Sequence, residues 1–285
     1  MDNYRDGYKF STGPLNRDTI IIEDNRTEDY VNYIKEKNIQ SVYLCSPHYR
    51  KNDVNILSEL SSVRKLNIRA PITNFEGLYA ISENLQDLSL NTLERDVDLS
   101  RFSQLEKLSI EDGKEHILNL EKCIHLKQLY LLKYKPISKN IEELISLSKL
   151  NTLVLTQSSI TSLKGCEGLK SLRKLGLNFL SKLEDIESLE LVLDTLEELE
   201  IESCKSINFK IIGKLKNLKR LLLINCGELS SISFINSLEK LEFFVFTKTN
   251  IIDGDLSYCQ GINYVAFDNK KHYSHKMKDF TKRTN

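Results

Sequence analysis

The chain has 285 residues, enough for one or two globular domains or a single elongated one. Lys and Arg total 40 and Asp and Glu total 40, so the formal charge is zero and the basic excess of a nucleic-acid or membrane-surface binder is missing. Hydrophobic residues at 40% and charged residues at 28% describe a folded chain, and 11 Gly and 4 Pro exclude collagen-like and low-complexity classes.

The N-terminus, Met1 to Asp6, is polar and acidic with no apolar run behind it, so no export signal is expected. No stretch reaches 18 consecutive apolar residues, and a cytoplasmic protein is the resulting expectation. Thr19 to Ile22 reads as a short strand. Thr27 reads as an N-cap, with Glu28 and Asp29 in the first turn of a helix over 28–37. Tyr30, Val31 and Ile34 give that helix one apolar face. Residues 1–38 are therefore expected to form an N-terminal strand-helix cap.

From residue 39 onward one pattern, apolar-x-x-apolar-x-apolar, recurs about every 22 residues. It runs from Ile39/Val42/Leu44 and Val63/Leu66/Ile68 through Leu172/Leu175/Leu177 and Leu196/Leu199/Ile201 to Leu218/Leu221/Leu223 and Ile262/Val265/Phe267. Near residue 240 two registers compete. Leu241/Phe244/Phe246 is preferred, because it places Ile251 five residues after Phe246, as Ile160 follows Leu155. Alternation along a strand sends the fourth and sixth positions into a core and the third, fifth and seventh to the opposite face. One such unit buries too little alone; stacked units form a parallel ladder with one continuous core. Return segments such as 141–147 and 209–215 have short helical spacing and predict helices or 3₁₀ turns.

The pattern resembles the leucine-rich repeat family over residues 39–267, and its period is most similar to internalin-type and SDS22-like repeats. Leu218 to Cys226 and Leu196 to Cys204 match that motif, including cysteine at the ninth position. The ninth position departs elsewhere: Pro47, Pro71, Leu93, Gly113, Tyr134, Ser158, Leu180, Thr249 and Lys270. In the family that side chain bonds backbone in the turn, so irregular loops are expected after most strands. The resemblance implies an α/β solenoid: a right-handed horseshoe with a parallel concave sheet of about eleven repeats. The solenoid would span 39–267, and 268–285 would be a C-terminal cap and basic tail. Tyr273, Met277 and Phe280 are candidates to cover the last core layer.

Chemistry is sparse. There is no P-loop, no G-x-S-x-G, no H-E-x-x-H and no dinucleotide fingerprint. Gly165-Cys-Glu-Gly168 falls in a return segment and reads as a turn. His272 and His275 lack the carboxylate or cysteine companions of a metal site, and a solvated tail is the better reading. The six cysteines show no CxxC spacing and read as reduced thiols packed as small hydrophobes. No catalytic residue, cofactor or metal is expected.

The concave face carries the functional expectation. Its early units are polar: Lys65, Asn67 and Arg69; Asp87, Ser89 and Asn91; Lys107, Ser109 and Glu111. Later units offer three acids, Glu198, Glu200 and Glu202, beside Arg220, Leu222 and Ile224, then Phe243 and Val245, then Tyr264. Two readings stay open: a solvated acidic face with its apolar residues under the C-terminal tail, or a docking site for a protein partner with a basic, partly apolar surface. A non-enzymatic interaction module is the leading function, as a cytoplasmic bacterial regulator or a toxin-immunity protein. A phosphatase-regulatory or signalling adaptor of SDS22-like type is the alternative. Neither nucleic acid nor membrane is expected as partner.

Overall fold

The structure, a computed structural model, describes residues 3–13 and 17–280. The last five residues of the expected basic tail, 281–285, lie outside the described residues. The chain divides into two compact units, Met1–Leu131 and Leu132–Asn285.

The first unit opens with a hairpin that the repeat pattern gives no hint of. Strand β1 (Asn3–Arg5) pairs antiparallel with β2 (Tyr8–Phe10) across Asp6-Gly7, whose φ values are 51° and 82°. An Asp-Gly pair between two short alternating runs favours this two-residue turn, because glycine takes positive φ without strain. Strand β3 (Ile20–Ile21) lies between β2, antiparallel, and β4 (Ser41–Cys45), parallel. Helix α1 (Thr27–Lys37) buries Tyr30, Val31 and Ile34, as its apolar spacing predicts. Thr27 is not its N-cap. A 3₁₀ turn over Asp24–Arg26 runs straight into the helix, so Thr27 is already helical, and its hydroxyl donates back to the Asp24 carbonyl at 2.9 Å.

The repeat strands of this unit follow in parallel register: β4, then β5 (Lys65–Arg69), β6 (Asp87–Thr92), β8 (Lys107–Asp112) and β10 (Gln128–Leu132). Between them, β7 (Val97–Asp98) and β9 (Ile117–Leu118) form a separate two-stranded parallel sheet. The second unit stacks β11 (Thr152–Thr156), β12 (Lys174–Asn178), β13 (Glu198–Glu202), β14 (Arg220–Leu229), β15 (Phe243–Ile251) and β16 (Tyr264–Phe267), all parallel.

In each repeat strand the fourth and sixth residues of the motif are buried: Leu175 with Leu177, Leu199 with Ile201, Leu221 with Leu223, Phe244 with Phe246. Full burial of such a side chain contributes roughly 1.5–3 kcal/mol, and here every layer shares the gain with its neighbours. Phe244 and Phe246 are in the core, while Phe243 is on the other face, so the preferred register near residue 240 is the observed one. The return segments are short 3₁₀ turns, including Glu142–Leu144, Cys166–Gly168 and Phe209–Lys214. Gly168 is there for stacking as well as turning. A Cβ on it would come within 2.0 Å of the Ile145 carbonyl oxygen in the preceding return turn.

The chain turns the same way at the end of each motif from β10 to β15, either just past the strand or, in β14 and β15, within it, against the expectation of irregularity. Lys133, Gln157, Phe179, Ser203, Asn225 and Lys248 all have φ between 51° and 59°. Left-handed backbone costs a non-glycine residue roughly 1–2 kcal/mol. A repeated amide bond offsets it: Gln157 N–H donates to Asn178 O at 2.9 Å, Phe179 N–H to Glu202 O at 2.7 Å and Ser203 N–H to Ile224 O at 2.8 Å. The Asp268 side chain ends this ladder by accepting from Lys248 N–H at 2.6 Å. At the ninth position, thiols and hydroxyls make the turn bond alike. Cys204 Sγ donates to Leu177 O (3.4 Å) and Cys226 Sγ to Ile201 O (3.3 Å). Ser158 Oγ donates to Tyr134 O (2.8 Å), and Thr249 Oγ1 lies 3.1 Å from Leu223 O. Ser158 and Thr249 depart from the motif by residue type, yet they hold the turn by the same kind of bond.

The C-terminal segment caps the last layer through Tyr273. Its ring meets Phe246 and Phe267 at 6.4 and 5.9 Å, and its hydroxyl accepts from Ile251 N–H at 3.1 Å. Phe280 packs edge-on against Phe267 at 6.0 Å. Met277 does not join them and is 37% exposed. The histidines of this segment are exposed or half-buried, as a solvated segment requires, but they are held by contacts. His272 Nε2 donates to the Ile251 carbonyl at 2.9 Å, and the His275 ring lies 5.4 Å from Phe280.

Candidate functional site

The side chains of the second unit that point away from the core form a grid set by the strand register. One row runs Lys174, Glu198, Arg220, Phe243 and Tyr264 on β12 to β16. The next runs Gly176, Glu200, Leu222, Val245 and Ala266, and the third Asn178, Glu202, Ile224 and Thr247. Neighbours in a row are about 4.8 Å apart through the backbone, the ordinary strand spacing. All nine residues singled out in the sequence therefore share one face of one sheet.

The first row is a bonded chain. Glu198 Oε2 is 3.1 Å from Lys174 Nζ, and its Oε1 is 4.0 Å from Arg220 Nε. The Arg220 guanidinium sits over the Phe243 ring at 3.9 Å. The Phe243 ring stacks on Tyr264, with centroids 4.6 Å apart and planes 8° from parallel. Tyr264 is 50% exposed at the last strand. The three acids are therefore not equivalent. Glu198 is neutralised by two cations, whereas the Glu200 and Glu202 carboxylates have no ion-pair or hydrogen-bond partner among the described residues.

Leu222, Ile224, Phe243 and Val245 are partly exposed beside those two carboxylates. The described part of the C-terminal segment packs on core residues through Tyr273 and Phe280, not on this row of apolar side chains. Gly176, in the second row next to Glu200, is buried, and the Val154 methyls would lie 3.2 Å from a Cβ placed there. Beyond the third row lies a cavity of about 460 Å³ lined by Phe179, Ser181, Ser203, Lys205, Ser206 and Asn225. Phe179 is 46% exposed on its left-handed backbone. Sequence reading alone does not find Phe179 or Lys174. Phe179 stands one place past the strand, where the alternation rule no longer says which way a side chain points.

All six cysteines are free and buried. Burial pushes the Cys204 thiol up to about 11 and the Cys123, Cys166, Cys226 and Cys259 thiols up to about 12. Among the described residues no three His, Cys, Asp or Glu side chains come together as a metal site, and no helix is long and apolar enough to cross a membrane.

No protein-family model matches the sequence, and no curated protein does. Solved structures do. The crystal structure of the internalin InlF from Listeria monocytogenes matches with a TM-score of 0.55 at 16% identity, covering 83% of this chain and 76% of that one. A leucine-rich repeat protein of Leptospira interrogans matches with a TM-score of 0.59 at 23% identity. That match covers 77% of this chain and 58% of the Leptospira chain. The buried periodic leucines, the parallel strands, the short 3₁₀ returns and these neighbours agree: the fold is the leucine-rich repeat fold.

Proposed function

We propose that the chain is a protein-binding module that acts by occlusion or scaffolding rather than by chemistry, and that its partner docks on the open face of the second unit. One observation carries this reading: the unpaired Glu200 and Glu202 stand in register with the partly exposed Leu222, Ile224 and Val245. Two uncompensated carboxylates beside an apolar strip favour a basic, partly apolar protein surface. The Phe243–Tyr264 stack, backed by Arg220, offers a rigid aromatic anchor of the kind that dominates binding energy. Six deeply buried thiols are consistent with a reducing, cytoplasmic setting. A regulator or a toxin-immunity protein is the role within this class that the reading extends to.

The test begins with affinity capture from the native cell and mass spectrometry. With the captured partner in hand, Phe243→Ala should cost about 2 kcal/mol or more of binding. Glu202→Lys should mainly slow association and flatten its salt dependence, because an exposed charge acts at long range. Both variants should melt like the wild type, since neither side chain is in the core. Undiminished binding by both at low salt would place the docking site elsewhere.

A further inference from the structure

The open face of the first unit is built on the same backbone but has a different chemistry. Its middle row runs Tyr43, Asn67, Ser89, Ser109 and Tyr130 across β4, β5, β6, β8 and β10. Four strand spacings separate the two tyrosines, roughly 19 Å. Between them, the Asn67 amide and the Ser89 and Ser109 hydroxyls have no hydrogen-bond partner among the described residues. The Asn67 Oδ1 atom is buried as well, and a buried acceptor without a donor is costly.

The charges flanking this row are already spent on one another. Asp87 lies between Lys65 at 3.9 Å and Lys107 at 3.5 Å. Arg69 pairs with Glu111 on the other side. Lys107 also covers the Tyr130 ring at 5.8 Å, holding that ring in place. At the end of β5 and β6 the face opens into a cavity of about 380 Å³, with Ser46, Arg69, Thr73, Asn91 and Thr92 in its wall. Glu94 is the lining charge left without an ion pair among the described residues.

We propose that this face is a binding site for a neutral oligosaccharide, lying along the row from Tyr43 to Tyr130 beside the cavity. Three features select that ligand. Serine hydroxyls and an asparagine amide both donate and accept, which matches a chain of hydroxyl groups. With Glu94 included, the three cations Lys65, Lys107 and Arg69 face three carboxylates, Asp87, Glu111 and Glu94, so these groups carry no net charge to select an ionic ligand. The middle of the row has no apolar centre of the kind a protein partner needs, while the tyrosines at its ends present flat rings. An extended peptide fits poorly. Its same-face groups recur about every 6.7 Å, out of step with polar groups placed about every 4.8 Å. A saccharide has several hydroxyls on each residue and meets the shorter spacing. This site shares no residue with the protein-docking face of the second unit, so either can fail without the other.

The test uses the full chain on an array of neutral and acidic glycans, followed by calorimetry with the strongest neutral binder. Neutral glycans should be bound in preference to sialylated or sulfated ones. The Ser89→Ala/Ser109→Ala double variant should weaken binding at least tenfold with an unchanged melting curve, and Glu202→Lys should bind as the wild type does. Should that double variant misfold, Tyr130→Ala takes its place with the same expected loss. Absence of any neutral glycan among the hits, preference for acidic ones, or binding indifferent to these changes would overturn the proposal.

Discussion

The two open faces are built by the same strand alternation, yet they treat charge in opposite ways. On the first unit, Asp87 is shared by two lysines and Arg69 pairs with Glu111, so each of these ions has a partner of opposite charge within the face. On the second, only Glu198 is neutralised, and Glu200 and Glu202 stand without cations next to Leu222 and Ile224. The backbone fixes where a side chain stands, and the residue one strand away decides whether its charge is available to another molecule. A row of acids in the sequence is therefore no measure of available charge until cross-strand neighbours are known.

The strongest test of this contrast removes the scaffold under one face. Leu199 is fully buried between Leu175 and Leu221. Leu199→Asp should destabilise the second unit by more than about 4 kcal/mol, because an unpaired carboxylate would enter a shared apolar core. Hydrogen exchange should show amides of β12 to β14 losing protection while those of β4 to β8 keep most of theirs. An unchanged melt in that variant would be incompatible with the repeat core described above.

A smaller effect is expected at the turn ladder, which only the second unit extends across consecutive repeats. Thr249 Oγ1 accepts from Cys226 N–H at 3.1 Å and lies 3.1 Å from the Leu223 and Thr247 carbonyls. Thr249→Val keeps the shape and removes the hydroxyl, leaving the buried Cys226 amide without its acceptor. Urea unfolding should report a loss of about 1–3 kcal/mol. A loss below about 0.5 kcal/mol would mean that the hydroxyl does not substitute for the family's ladder residue.

The smallest effect should come from the paired charges of the first unit. Asp87→Asn breaks both of its ion pairs, but all three side chains are partly exposed. Stability should fall by less than about 1 kcal/mol, and less still in high salt. What should change is the face itself, which would lose the one carboxylate between Lys65 and Lys107 and begin to retain anionic ligands.

Much of this architecture is legible in the order of the residues. The apolar positions of the repeat lie in the strands where the spacing places them, down to the choice of Phe244 and Phe246 over Phe243. The nine residues of the proposed docking face share one surface because alternation in a strand has a fixed period. The β1–β2 hairpin escapes the repeat pattern, although Asp6-Gly7 between Tyr4 and Tyr8 is a legible turn signal. Thr27 looks like a cap because the preceding 3₁₀ turn, which carries helical geometry up to it, leaves no mark in residue type. Residue identity at the ninth position suggests irregular loops, but hydrogen bonding there needs only a short donor, and Ser158 and Thr249 have one.

The periodic part follows from residue order alone: which side chains face inward, how often a strand recurs, and which residues share the opposite face. These are matters of local geometry, since side-chain direction in a strand depends on position. The remainder depends on tertiary contacts. The seating of Tyr273 against Phe246, the neutralisation of Glu198 by Lys174 and Arg220, the stacking of Phe243 on Tyr264 and the unpartnered row from Asn67 to Ser109 all join residues about 20 or more apart in sequence. Such contacts depend on the register between strands, and the register is set by the length and turn of every return segment taken together.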